Sequence, residues 1–185
     1  FIFVVSANSR MELSAAQRER YERNLLVEGF TDRMQQALIA ARVAVVGAGG
    51  LGSAALNYLV AAGVGHLTLI ENDTVSLSNL QRQVLYTTAD MGRPKAEVAA
   101  MRLSRLNPGC DIRVVTDRLT AANAAGLLGG HDAVVDCTDN YDARYVIDDF
   151  CREAEVPMIY GTAEAVGGQV AVFHAGGAGG YRDLY

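Results

Sequence analysis

At 185 residues the chain is long enough for one substantial α/β domain and too short for two full-sized ones. Half of its residues are hydrophobic and a fifth are charged, the balance of a globular domain. A formal net charge of −5 argues against a protein built around nucleic-acid phosphates, so no nucleic-acid partner is expected, while a local basic cluster on it still suits a small phosphate ligand.

Residues 1–10 open with five apolar residues but carry no basic leader, which makes a poor signal peptide. Met11 reads as a natural start. Residues 1–10 are therefore expected to be an added or disordered extension, and residues 11–185 a single domain. No apolar run approaches the length of a bilayer span, so no membrane partner is expected. Cys110, Cys137 and Cys151 include no Cys-x-x-Cys pair, which gives neither a disulfide framework nor a zinc knuckle. The plain reading is a reducing, cytoplasmic setting.

Ser14 to Gln17 has capping-box spacing and Gly29 is a stop, which predicts a helix over 14–28. Thr31 caps a second helix, to about Ala41. Val43 to Val46 is a continuous apolar run bounded by glycine, as in a strand buried on both faces. A helix of small and apolar residues follows from Ser53 to Ala62, then a strand over His66–Ile70 that ends at Glu71. Residues 72–90 are polar with little periodicity. Pro94 opens a helix that runs to about Leu106, where Asn107-Pro108-Gly109 breaks it. A strand at Ile112–Thr116, a short helix over 120–128, a strand at Asp132–Cys137, a helix over about 141–155 and a strand at Pro157–Tyr160 complete the alternation. Such a rhythm means parallel pairing with right-handed crossovers, a Rossmann-like sheet flanked by helices. Gly167-Gly168 before Gln169–Phe173 predicts an antiparallel strand added near the C-terminus.

Gly47-x-Gly49-Gly50-x-Gly52 follows a strand and opens a helix. The first glycine permits the tight turn, the second lets backbone N–H groups approach a phosphate, and the last packs helix on strand. The helix start adds N–H donors and a favourable dipole. Glu71, at the end of the second strand, is placed to accept hydrogen bonds from ribose hydroxyls. These features predict a nucleotide without separating NAD from ATP.

The next segment leans towards ATP. Ser78-Asn79-Leu80-Gln81-Arg82-Gln83 sets Arg82 in an otherwise uncharged loop. Gly92-Arg93-Pro94-Lys95 then puts two cations in the first turn of a helix, where the dipole disfavours them and a compensating anion is called for. With the glycine turn, Arg82 and Lys95 read as a phosphate clamp. Asp136 and Asp139 stand at the carboxyl end of a strand, where open α/β sheets bind ligands. Asp139 is suited to Mg²⁺, or else to capping the helix that follows. Arg144, one turn on, either reaches back to the site or sits exposed.

In order and spacing, the glycine turn, the strand-end acid, Asp73-Thr74-Val75, Ser-Asn-Leu-Gln-Arg-Gln, Gly-Arg-Pro-Lys and Asp136-Cys137-Thr138-Asp139-Asn140 resemble the ThiF/MoeB/HesA adenylyltransferases, relatives of ubiquitin-activating enzymes. The resemblance runs from about Leu13 to the last residue. It implies ATP-dependent adenylation of the C-terminal Gly-Gly of a ubiquitin-like sulfur carrier, of thiamin or molybdopterin type. Arg82, Lys95 and Asp139 are then the catalytic set, with Mg²⁺ on Asp139. Gly47, Gly49, Gly50, Gly52, Glu71 and Asn79, together with Arg82 and Lys95, are the nucleotide-binding set. Within Arg20-Tyr21-Glu22-Arg23, the resemblance implies that Arg23 reaches the ATP of a neighbouring subunit, and so a homodimer.

The chain departs from the pattern in two places. Glu71 stands where aspartate is usual. Gly180-Tyr181-Arg182-Asp183-Leu184 stands where many members have Cys-Tyr-Arg-Cys-Leu, half of a structural zinc site, so zinc is expected to be absent. Members also continue beyond this point, and the domain is expected to lack its usual C-terminal portion. The alternatives are a catalytically degenerate nucleotide-binding scaffold of the same family, a family member that activates another small substrate such as a peptide C-terminus or a tRNA-linked group, and an NAD-dependent oxidoreductase. The last leaves Arg82, Lys95 and Asp139 unexplained, and His66, His131 and His174 look like strand-edge or turn residues.

Overall fold

The computed structural model describes residues 12–185, so the expectation for residues 1–10 and the start at Met11 lie outside the described residues. A six-stranded sheet forms the middle layer, in the order β3-β2-β1-β4-β5-β6. Its strands are β1 (Arg42–Val46), β2 (His66–Ile70), β3 (Asp111–Val115), β4 (Ala133–Asp136), β5 (Met158–Glu164) and β6 (Gly167–Phe173). The first five run parallel, and β6 pairs antiparallel with β5, as expected.

Alternation along each strand feeds two apolar layers. Val43 and Val45 of β1 face α4 (Gly50–Ala62) and α5 (Lys95–Leu106), with Leu56, Val60, Val98 and Leu103. Ala44 and Val46 face the other way, towards α6 (Ala124–Leu128) and α7 (Tyr141–Ala154), with Leu128, Ile147 and Cys151. Burial on both faces is why β1 reads as an unbroken apolar run.

The N-terminal segment folds as α1 (Ala15–Arg20), α2 (Glu22–Leu25) and α3 (Asp32–Ala40). Ser14 and Gln17 form the expected capping box, and Thr31 caps α3. The single helix expected over 14–28 is broken at Tyr21, whose buried ring lies against Gly63 and whose hydroxyl accepts from Asn107 Nδ2 at 2.9 Å. These helices dock where α4 and α5 end. Asn24 and Gln35 donate to the Ala62 carbonyl at 3.1 and 2.9 Å, and Arg20 to that of Leu106 at 3.1 Å. Helix ends leave such carbonyls without intrahelical partners, so the contacts supply what the ends lack. Other boundaries shift modestly. α4 begins at Gly50, inside the glycine turn, and β5 runs four residues past Tyr160 because its far half pairs with β6 down to Glu164↔Gly167.

Candidate functional site

Strand order reverses between β1 and β4, and the candidate residues gather at the carboxyl ends of β2, β1 and β4, where a crevice forms in open α/β sheets. The turn leaving β1 is set by close approach. Gly47 has φ +94°, and a Cβ there would lie 2.8 Å from the Cys137 carbonyl oxygen. A Cβ on Gly52 would lie 2.1 Å from the Gly47 carbonyl oxygen. Gly49 caps α4 without a side chain, and the first helical bond is Ser53 N–H to Gly49 O at 2.8 Å. The N–H groups ahead of it point out of the turn and suit an anion.

Glu71 ties this turn to the segment after β2. One carboxylate oxygen accepts from Ala48 N and the other from Asp73 N, both at 2.8 Å, which leaves each with capacity for a further donor. The Ser78–Gln83 run lies across the helix start. Exposed Arg82 has its Cγ and Cδ 3.4 Å from where a Gly50 Cβ would be. Asn79 accepts from Ser76 Oγ at 2.7 Å through Oδ1, and its carbonyl takes Gln83 N–H at 3.0 Å.

Lys95 is the first residue of α5 and is buried, with Nζ donating to Asp73 Oδ2 at 3.0 Å. Asp73 is thus the anion that a cation in that position calls for. Arg93 is not in the first turn, contrary to expectation. Pro94 takes ψ 126° as the cap, which leaves Arg93 outside the helix, paired with Asp90 at 3.3 Å.

At the end of β4, Asp136 is fully buried and its Oδ1 accepts from Thr138 N at 2.9 Å and Thr138 Oγ1 at 2.7 Å. Burial pushes its carboxyl above the ordinary range. Its Oδ2 has no hydrogen-bond partner and faces Arg144 Nε, equally unpaired, at 3.8 Å. Arg144 reaches back rather than sitting exposed. It donates to the Thr138 carbonyl at 3.0 Å and stacks 5.2 Å from the Tyr160 ring centre, which pins the loop carrying Asp139. Asp139 does not cap α7, because Asn140 does so through Ala143 N–H at 2.9 Å. That leaves the Asp139 carboxylate exposed at the mouth of the crevice. Among the described residues no three His, Cys, Asp or Glu side chains cluster as metal ligands. A lone carboxylate fits Mg²⁺, which shares its coordination with substrate phosphates and water.

Sequence reasoning missed Asp73 as the partner of Lys95, and assigned nothing to Gln83 or Asp148. Asp148 is buried in α7 and accepts from His174 Nε2 and Tyr181 N, each at 2.7 Å, which fastens the segment after β6. Where the resemblance expects a cysteine, a Cβ on Gly180 would lie 2.6 Å from the His174 ring. Exposed Arg23 lies on α2, at the opposite end of α4 from the glycine turn.

A family model described as the ThiF family matches residues 21–185. The chain belongs to the ThiF family. Similar relatives are the molybdopterin-synthase adenylyltransferase of Salmonella typhimurium, 49% identical over 88% of this chain and 65% of that protein, and the sulfur carrier protein adenylyltransferase of Thermus thermophilus, 45% identical over 89% and 60%. This ThiF-family chain therefore spans less than two thirds of the length of these relatives. Among solved structures, the Escherichia coli tRNA N6-threonylcarbamoyladenosine dehydratase in complex with ATP superposes with a TM-score of 0.76 at 32% identity, over 81% of this chain and 61% of that one. Among the described residues no helix is long and apolar enough to cross a membrane.

Proposed function

We propose that this chain is an adenylyltransferase that uses ATP to activate the C-terminal Gly-Gly carboxylate of a ubiquitin-like sulfur carrier protein, of molybdopterin or thiamin type, in the cytoplasm. The observation that carries this reading is one crevice with a glycine turn at a helix start, a strand-end acid in Glu71, cations in Arg82 and Lys95, and a free carboxylate in Asp139. Relatives named as adenylyltransferases of molybdopterin synthase and of a sulfur carrier support the choice of substrate.

The carrier's carboxylate oxygen attacks the α-phosphorus of ATP. A new O–P bond forms, the bond from the α-phosphorus to the bridging oxygen breaks, and pyrophosphate leaves with that electron pair. A carboxylate is already nucleophilic, so no general base is required, and catalysis is positioning and charge neutralisation. The turn from Gly47 to Gly52 holds phosphate through backbone N–H groups. Glu71 and Asn79 orient the ribose side, and Arg82 and Lys95 balance the phosphates. Asp139 would hold Mg²⁺, and the ion would supply positive charge beside the phosphates. Arg23 comes from the second subunit of a homodimer. What supports that is its distance from its own turn: Asn24 beside it bonds Ala62 at the far end of α4, which at the helical rise is roughly 18 Å from Gly50.

The test is ATP–pyrophosphate exchange with purified carriers. Exchange is expected with a Gly-Gly-ending carrier and is expected to fall ~100-fold or more in Asp139→Ala, the scale of losing one transition-state charge contact. Nucleotide binding without exchange on any carrier would favour a degenerate scaffold instead.

A further inference from the structure

Gln83 packs beside the glycine turn with a relative exposure of 4%. Its side-chain Oε1 is buried and accepts no hydrogen bond. Its Nε2 is 3.6 Å from the point where a Cβ on Gly49 would sit, so the donor end of the amide faces the residue that caps α4. The backbone around it is fixed: Gln83 N–H donates to the Asn79 carbonyl at 3.0 Å, and its own carbonyl takes Tyr86 N–H at 3.1 Å. Tyr86 in turn donates its hydroxyl to the Ala48 carbonyl at 3.0 Å, bracing the turn from below.

A buried acceptor without a partner costs stability, and an apolar side chain of the same shape would avoid that cost. Shape alone therefore gives no reason for glutamine here. The donor end supplies one. It stands beside the N–H groups at the start of α4, on the flank opened by Gly49 and next to Arg82, where an anion is already favoured.

We propose that Gln83 is a phosphate-contacting residue, whose side-chain N–H₂ donates to the nucleotide's phosphate chain next to the glycine turn, and that this contact is held at the expense of an unsatisfied oxygen on the other side of the amide. The inference rests on the nucleotide reading above and sharpens it, because it assigns Gln83 to the phosphates rather than to the ribose or base. An N–H donor matters for the charged ligand and is irrelevant to one without phosphates.

The experiment is calorimetric titration of the whole chain with ATP and, separately, with adenosine, alongside thermal unfolding, for wild type, Gln83→Met and Gln83→Glu. Gln83→Met is expected to bind ATP roughly tenfold more weakly, the scale of one hydrogen bond to a charged group, with adenosine binding unchanged. Its melting temperature should equal or exceed that of wild type. Gln83→Glu, which sets a negative charge against the phosphates, should weaken ATP by about a hundredfold or more and again spare adenosine. Equal losses for ATP and adenosine, or a lower melting temperature in Gln83→Met with ATP affinity retained, would overturn the assignment. Wild type that binds ATP while neither variant changes its affinity overturns the role of Gln83 alone. Wild type that binds neither ligand overturns the nucleotide reading as well.

Discussion

Lys95 occupies an electrostatically poor position for a reason found outside its own helix. It is 3% exposed at the start of α5, while its partner Asp73 is 67% exposed. A buried ammonium at a helix N-terminus loses hydration and opposes the dipole, and a solvent-facing carboxylate returns only part of that. Replacing it should therefore cost little stability. Lys95→Met is expected to change unfolding free energy by less than about 1 kcal/mol, since Asp73 keeps its water. The same substitution should lower ATP–pyrophosphate exchange by about a hundredfold, the scale of removing a charge from a developing pyrophosphate. Urea unfolding and exchange, measured on one preparation, separate the two effects. A variant that loses several kcal/mol, with exchange falling only in step with the unfolded fraction, would make Lys95 a structural residue.

The segment between β2 and α5 has little periodicity, and a few polar side chains hold it. Asp90 accepts from Thr87 N at 2.8 Å and Thr87 Oγ1 at 2.7 Å, pairs with Arg93, and receives Arg102 from α5, which also donates to the Leu85 carbonyl at 2.8 Å. The Thr87 hydroxyl, then the Thr87 backbone N–H and the two guanidinium groups, hold the Asp90 carboxyl below the usual carboxylate range. Folding therefore weakens its hold on the proton. Its stabilisation is complete above the unfolded value near pH 4 and drains away as pH falls through the lower folded value. Asp90→Asn should cost about 2 kcal/mol at neutral pH, with the gap to wild type closing in acid. Unfolding curves for both proteins from pH 7 down to about 3 check this, and a gap that widens in acid would reverse the sign. The same segment marks how far the sequence could be read. Strands such as Val43–Val46 and caps such as Ser14 and Thr31 are local patterns, and so is the glycine turn, a matter of backbone shape. The break at Tyr21, the far half of β5, the Lys95–Asp73 pair and the orphaned amide of Gln83 depend on contacts across the fold, which no local period encodes.

Across the whole molecule, the crevice and Arg23 lie at opposite ends of α4. The turn opens its N-terminus, and α1 to α3 seal its C-terminus through Asn24, Gln35 and Tyr21. An arginine side chain is far shorter than that helix, so within one protomer Arg23 has no route to its own glycine turn. Beside it Leu26 and Val27 are 67% and 59% exposed, an apolar surface of the kind a second subunit covers. In a two-fold dimer whose sites each borrow the partner's arginine, the two defects complement. Arg23→Ala and Asp139→Ala homodimers should each be nearly inactive. In a mixed dimer one site takes both defects and the other takes neither. With random mixing, half the dimers are mixed and half of their sites are intact, so exchange activity should recover to about a quarter of wild type. Mixing after reversible dissociation, with native mass spectrometry to count mixed dimers, makes the measurement quantitative. Mixed dimers that form without any recovery would show that Arg23 takes no part in the partner's site. A species that sediments as a monomer while fully active would remove the need for a partner altogether.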